Sequence, residues 1–186
     1  MLDTGLKEWA VVCDLLLAGR FCLLLRKGGI HEDRGPGVFE LEYPRFALFP
    51  AWSHQQPEML KARFRAGVAP GDEPAEITLR GCASAAGIWR VPSRDAFEQL
   101  DDLHPWSPAQ VDMRFNYKPE RPLYLLALRA ARLREPRTIR NHAQYTGCRS
   151  WVPLRAGDEV DDADATPAMD DATFGALIER VERAMG

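Results

Sequence analysis

Arg26-Lys27-Gly28-Gly29 closes the apolar run of residues 20–25, so two cations and two glycines stand where a buried segment meets a loop. Such a corner can face an anion. Glycine permits close backbone approach, successive amides can form a nest for an oxyanion, and arginine offers a planar donor fork. The spacing is neither a Walker loop nor a dinucleotide fingerprint. A tight turn with two solvated cations is the competing reading.

Phe49-Pro50-Ala51-Trp52-Ser53-His54-Gln55 and Leu103-His104-Pro105-Trp106-Ser107 share an aromatic, a proline, a serine and a histidine in a loop that opens a helix. At a helix amino end an imidazole and an indole can meet an anion and a base, with stacking worth roughly 1 to 3 kcal/mol per base. Alternatively, the indoles pack the loops on the core and each histidine makes a local hydrogen bond. Arg114, Tyr117, Lys118 and Arg121 form a basic stretch with interleaved aromatics, suited to phosphate contact or to a solvated helix end. The candidate ligand-binding set is therefore Arg26, Lys27, Gly28, Gly29, His54, Gln55, His104, Trp106, Arg114 and Lys118.

Cys148 sits beside Arg149 and is the candidate for nucleophilic chemistry, since a thiol needs a neighbouring base or cation to act as thiolate. A packed, inert thiol is the alternative. A metal nuclease of the restriction type would need an Asp with a Glu-x-Lys or Asp-x-Lys pair on neighbouring strands. Glu32, Glu40 and Glu42 supply carboxylates, but no lysine follows Glu40 or Glu42 at that spacing, and Lys27 lacks the acid. That motif is absent as written, and no metal ligand set or cofactor is expected.

The elements that must position these residues come from 186 residues that are 46% hydrophobic, enough for one domain with a real core. Lysine and arginine number 24 against 27 aspartates and glutamates, for a net charge of -3, which excludes a chain that coats nucleic acid by bulk charge. The charge is uneven: residues 155–186 are strongly acidic, and the first 154 carry a small positive excess. Cys13, Cys22, Cys82 and Cys148 lack metal or redox spacing and read as reduced thiols of a cytoplasmic protein. Lys7, Glu8 and Asp14 interrupt the first apolar stretch, so neither a signal peptide nor a membrane span is expected.

Leu6, Trp9, Ala10, Cys13, Leu16 and Leu17 fall at spacings of three and four and predict one helix ended by Gly19. Strands are expected in 20–26, 38–43, 46–50, 76–91 (one long strand or a hairpin bent near Gly81), 122–133 and 149–154. Helices are expected from Pro57, after Ser93, after Ser107-Pro108, and from Asp171 to Ala184.

Three segments, "KEWAVVCDLLLAGRFCLLLRKGGIHE", "FALFPAWSHQQPEMLK" and "HPWSPAQVDMRFNYKPERPLYLLALR" running on to "YTGCRSWVPL", together resemble the bacterial domain-of-unknown-function family numbered 1802 over about residues 6–154. The resemblance implies a place beside restriction or DNA-defence genes, and brings no catalytic residue with it.

The expectation is thus an α+β fold. A single compact domain over residues 1–154 has a mixed or antiparallel sheet flanked by helices, followed by an acidic linker over 155–170 and a C-terminal helix over 171–186. The expected function is a nucleic-acid or nucleotide-phosphate binding module, an accessory of a restriction or DNA-defence system, with nucleic acid and a restriction-system protein as partners and no membrane contact. A divergent nuclease or other enzyme, and a protein-interaction module, are the alternatives. Oligomeric state is left open.

Overall fold

Residues 4–9 carry Leu6 between Gly5 and Lys7, and their backbone meets a neighbour on each side. The computed structural model describes residues 1–27, 39–69 and 71–186. In it β1 (Thr4–Trp9) pairs in parallel with β3 (Arg45–Ala51) and antiparallel with β6 (Trp151–Pro153). The helix α1 (Ala10–Leu17) starts only where this pairing ends. The single helix expected over this stretch is corrected: two open sheet edges satisfy the backbone of residues 4–9, and this outweighs a helical spacing that Leu6 and Trp9 fit by coincidence. Gly19, with φ 65°, ends α1 as expected.

The buried run ends in β2 (Leu23–Arg26). The stretch 76–91 is one strand, β4 (Glu76–Arg90), with register shifts at Leu79/Gly81 and Ala85/Gly87. At Gly81 a Cβ would lie 2.2 Å from Leu17 Cδ2 and 2.8 Å from the Ala131 carbonyl, so α1 can lie close on the sheet only over glycine. Ser93 caps α2 (Arg94–Glu98) and Ser107 caps α3 (Pro108–Asn116), each through its hydroxyl oxygen. The strand expected over 122–133 is part of the longest strand, β5 (Tyr124–Arg140).

Two expectations are corrected. Residues 39–43 form no strand; Phe39 is buried and stacks on Trp151, so the alternation there reflects side-chain packing without a ladder. The segment from Pro57 makes two 3-10 turns, Pro57–Met59 and Ala62–Gly67, in place of one helix. Gly28, Gly29, Glu32 and the loop 31–37 lie outside the described residues.

The seven strands among the described residues form one mixed sheet in the order β2-β5-β4-β3-β1-β6, and β7 (Thr166–Pro167) takes the edge of β5 beyond β2. One face packs on α1, α2, α3 and α4 (Asp171–Met185) through Leu16, Leu24, Phe46, Phe97, Leu126 and Val181. The other encloses a second cluster with Phe49, Ile77, Leu79, Tyr145 and Val152. The fold is α+β.

Residues 155–170 are tied to the body. Asp158 accepts from the Tyr145 hydroxyl at 2.5 Å, Asp162 pairs with Arg45, and Val160 bridges to Leu2. Asp170 caps α4 through the amide of Thr173 at 2.9 Å, and Arg180 grips Asp102 with both guanidinium nitrogens, at 2.9 and 2.7 Å. No helix among the described residues is long and apolar enough to cross a membrane.

Candidate functional site

The parallel strands β1 and β3 end side by side, and the pocket opens there. Lys7, Glu8 and Trp9 come from the end of β1, Ala51 from the end of β3, and Ser53 and His54 from the turn that follows. Arg26 and Lys27 arrive from the end of β2, Gln110, Met113 and Arg114 from α3, and Gly147 to Ser150 from the loop before β6. The cavity measures about 340 Å³, at the lower end of small-molecule sites.

Its charge is one-sided. Lys7, Arg26, Lys27, Arg114 and Arg149 line it against the single carboxylate of Glu8. Glu8 is largely spoken for: it is 8% exposed, lies 3.2 Å from Arg26 Nη2, and accepts from the Trp9 amide at 2.7 Å. Lys7 donates to the Tyr145 carbonyl and, at 3.2 Å, to that of Gly147, which fixes the loop bearing Cys148 and Arg149. Lys27, 2% exposed, donates to the carbonyls of Arg114 and Phe115 at 3.1 and 3.4 Å and so closes the last turn of α3. Among the described residues no carboxylate pairs with Arg114 or Arg149.

Burial holds Lys7 below the ordinary lysine value, with Glu73 pulling it up more than Arg149 pushes it down; burial lowers Lys27 likewise, with Glu120 opposing more than Arg114 adds. Burial likewise lowers Arg114, whose guanidinium nevertheless stays charged. In all three burial is the leading cause, the nearest acid outweighs the nearest cation, and an anion in the pocket favours the charged forms.

Two further polar features mark the walls. Gln110 is 2% exposed, and its side-chain oxygen has no hydrogen-bond partner among the described residues. His54, exposed, holds φ at 65°. Its turn is fixed by one oxygen of Glu73, which accepts from the amides of Trp52 and Ser53 and from the Ser53 hydroxyl at 3.0, 2.9 and 2.7 Å. Trp9, half-buried, offers the pocket an indole; Trp106 stands behind it edge to face, with centroids 5.4 Å apart.

Of the sequence candidates, the pocket gathers Arg26, Lys27, His54 and Arg114. Gln55 lies outside it and caps α1, its side-chain oxygen accepting from the Val11 amide at 3.1 Å. His104 and Trp106 are in the core: His104 is 2% exposed, stacks on Phe97 and accepts the Trp106 amide at 3.2 Å. Burial pulls the His104 imidazole down to about 3, so it is neutral. Lys118, with φ 44°, lies against Tyr117 outside the pocket lining. Cys148 and Arg149, singled out as a nucleophile and its neighbouring cation, line the pocket as well. Lys7, Glu8, Trp9 and Gln110 carried no sequence signal, because only the pairing of β1 with β3 brings the first three to Gln110 on α3.

A second cavity, about 380 Å³, lies between α1 and the sheet over Leu17, Leu48 and Trp52. Its rim carries Asp14, Asp72 and Glu76 with Arg80, which disfavours an anion. Glu40 and Glu42 are exposed on the non-strand segment 39–43. Among the described residues no three acids, histidines or cysteines gather as a metal would need.

The comparisons with known proteins agree with the resemblance seen in sequence. The model of the family described as "Domain of unknown function (DUF1802)" matches residues 5–180, and the chain belongs to that family. The match continues through the acidic segment and most of α4. Among solved structures, two mutant proteins of ZmASCH from Zymomonas mobilis are 14% and 13% identical, each covering 85% of this chain and 94% of theirs with a TM-score of 0.49. The structure of ASCH from the same organism is 14% identical over 83% of this chain and 89% of its own, with a TM-score of 0.48. No curated protein matches the chain.

Proposed function

We propose that the pocket binds the phosphate of a nucleotide unit, free or within a nucleic-acid strand, and that the protein is a nucleic-acid or nucleotide-phosphate binding module. The observation that carries this reading is the lining of five cations against one already paired carboxylate in a cavity of about 340 Å³. Phosphate contacts from arginine and lysine supply the affinity. Arg114 and Arg149, which form no close ion pair with a carboxylate among the described residues although Glu8 acts on Arg114 at longer range, are the phosphate ligands, and Lys7 adds charge.

The size of the cavity sets the form of the ligand. A duplex does not enter it, so the unit bound is unstacked, from a single strand or free in solution. Trp9 then lies where a base can stack, and the Gln110 amide where a base edge can find a hydrogen bond. The accessory role in a restriction or DNA-defence system, which the sequence resemblance implies, belongs to the same proposal.

Competition against a fluorescent single-stranded oligonucleotide tests the reading. A nucleoside monophosphate should displace the probe and the matching nucleoside should not, and Arg114→Gln should weaken both probe and competitor. Equal displacement by nucleoside and monophosphate would contradict the phosphate assignment. A folded protein that binds none of them would leave a protein partner as the function of this surface.

A further inference from the structure

Cys148 is exposed, while Cys13, Cys22 and Cys82 are buried. Burial pushes those three thiols up, Cys22 to about 12, which leaves them without usable thiolate. Cys148 lines the cationic pocket between Gly147 and Arg149, in the loop that Lys7 holds by the Gly147 carbonyl. An independent feature of the same pocket also calls for a ligand. The Gln110 side chain is almost wholly buried, with an amide oxygen that nothing among the described residues satisfies. A buried acceptor left unpaired is costly, and a ligand carrying an amide N–H would satisfy it.

We propose that Cys148 captures small anionic disulfides, of which glutathione disulfide is the representative, and that the mixed disulfide fills the pocket and closes it to phosphate. The second half rests on the phosphate reading above; the capture itself does not. In the reaction Cys148 loses its proton to solvent and its sulfur attacks one sulfur of the disulfide. The new bond to Cys148 Sγ forms as the old S–S bond breaks, and the electron pair leaves on the departing thiolate, which takes a proton from water. One disulfide is thereby reduced to one thiol and one protein-bound sulfur, and no other oxidant is needed.

Selectivity follows from the lining. The carboxylates of glutathione meet Lys7, Arg114 and Arg149, and its peptide N–H groups match the Gln110 oxygen. A pocket of one sign concentrates the opposite charge. A neutral disulfide such as hydroxyethyl disulfide gains nothing from this, and cationic cystamine is repelled.

The test follows adduct formation by mass spectrometry on the full chain, with no nucleotide present. The rate for each disulfide is divided by its rate with a free small-molecule thiol. The expected result is one glutathionyl group, placed on Cys148, lost in Cys148→Ser, and formed about tenfold faster than the hydroxyethyl adduct at low salt. That preference should shrink in high salt and in Arg149→Gln. Equal normalised rates for the two disulfides, or an adduct on another cysteine, would overturn the capture. An oligonucleotide titration of the modified protein then tests closure. Lost binding is the expected result, and binding as tight as that of the unmodified chain overturns it. Selective capture by a chain that binds no oligonucleotide, modified or not, upholds the capture and removes the phosphate reading instead.

Discussion

The guanidinium of Arg26 donates to the backbone carbonyl of Lys7 over 2.8 Å, although three strands separate β2 from β1 in the order of the sheet. The sheet therefore curls until the end of its first strand reaches the end of its fifth, and the pocket lies at that meeting point. The same guanidinium nitrogen lies 3.2 Å from Glu8, at 13% and 8% side-chain exposure. Arg26 is thus both wall and tie.

Arg26→Ala strands the buried Glu8 carboxylate and cuts the tie, and should destabilise the protein by about 3–5 kcal/mol. Urea unfolding measures this. Arg114→Gln, which breaks no recorded ion pair, should shift stability by less than about 1 kcal/mol while weakening oligonucleotide binding. If the two variants lose stability equally, the division of labour between tie and ligand is wrong.

Lys7 and Lys27 lie below the ordinary lysine value of 10.5 in the free protein, chiefly through burial, and a bound anion favours their charged forms. Binding of phosphate should accordingly be level through neutral pH and weaken as pH rises toward 10.5, earlier than for an unperturbed lysine. Above neutrality it should be accompanied by proton uptake. Calorimetry in two buffers of different ionisation enthalpy measures that uptake at pH 9. Proton release there would have the wrong sign for this pocket.

What the sequence disclosed of this site was local. Arg26 and Lys27 announce a strand end, Ser107-Pro108 starts the helix that carries Arg114, and Cys148-Arg149 shows a thiol beside a cation. Each needs only neighbouring residues to be recognised. Lys7, Glu8 and Trp9 were hidden because their spacing also fits a helix, and the pairing that makes them a strand is with residues about forty and one hundred and fifty positions along. Gln110 was hidden for the same reason: nothing near it in the chain distinguishes it from a solvated helix glutamine. The two loops of matching composition differ in exposure, since His54 lies at the pocket mouth and His104 under Phe97. The strands at 76–91 and 122–133 were legible because β4 and β5 are long and apolar, whereas 39–43 alternates without any partner edge.

His104 gives the protein an acid sensitivity with a definite sign. Its folded-state value, about 3, lies below the 6.5 of the free side chain, so the unfolded chain binds the proton more tightly. The stability it contributes is whole above pH 6.5 and is lost as pH falls from 6.5 toward 3, at up to about 1.4 kcal/mol per pH unit. The difference in unfolding free energy between wild type and His104→Gln, followed from pH 7 to 4, should narrow as pH falls. A constant difference would mean the imidazole takes up its proton equally readily in the folded and unfolded chain.

Tyr145 links the acidic segment to the pocket. Its hydroxyl donates to Asp158 at 2.5 Å and accepts from the Arg155 amide at 2.9 Å, while its carbonyl receives Lys7. Tyr145→Phe should cost about 1–3 kcal/mol of stability and loosen the loop of Cys148, seen as faster amide exchange at Gly147 to Ser150. Exchange unchanged there would separate the acidic segment from the site.

The most direct measurement is a titration of a short labelled single-stranded oligonucleotide with the full chain at two salt concentrations, repeated with a duplex of the same sequence. The account predicts that the single strand binds more tightly than the duplex. The logarithm of its affinity should fall with the logarithm of salt at roughly -0.7 per phosphate contact, and Arg114→Gln with Arg149→Gln should flatten that slope. Affinity indifferent to salt, or a slope unchanged in the double variant, would contradict the central claim that this pocket holds phosphate.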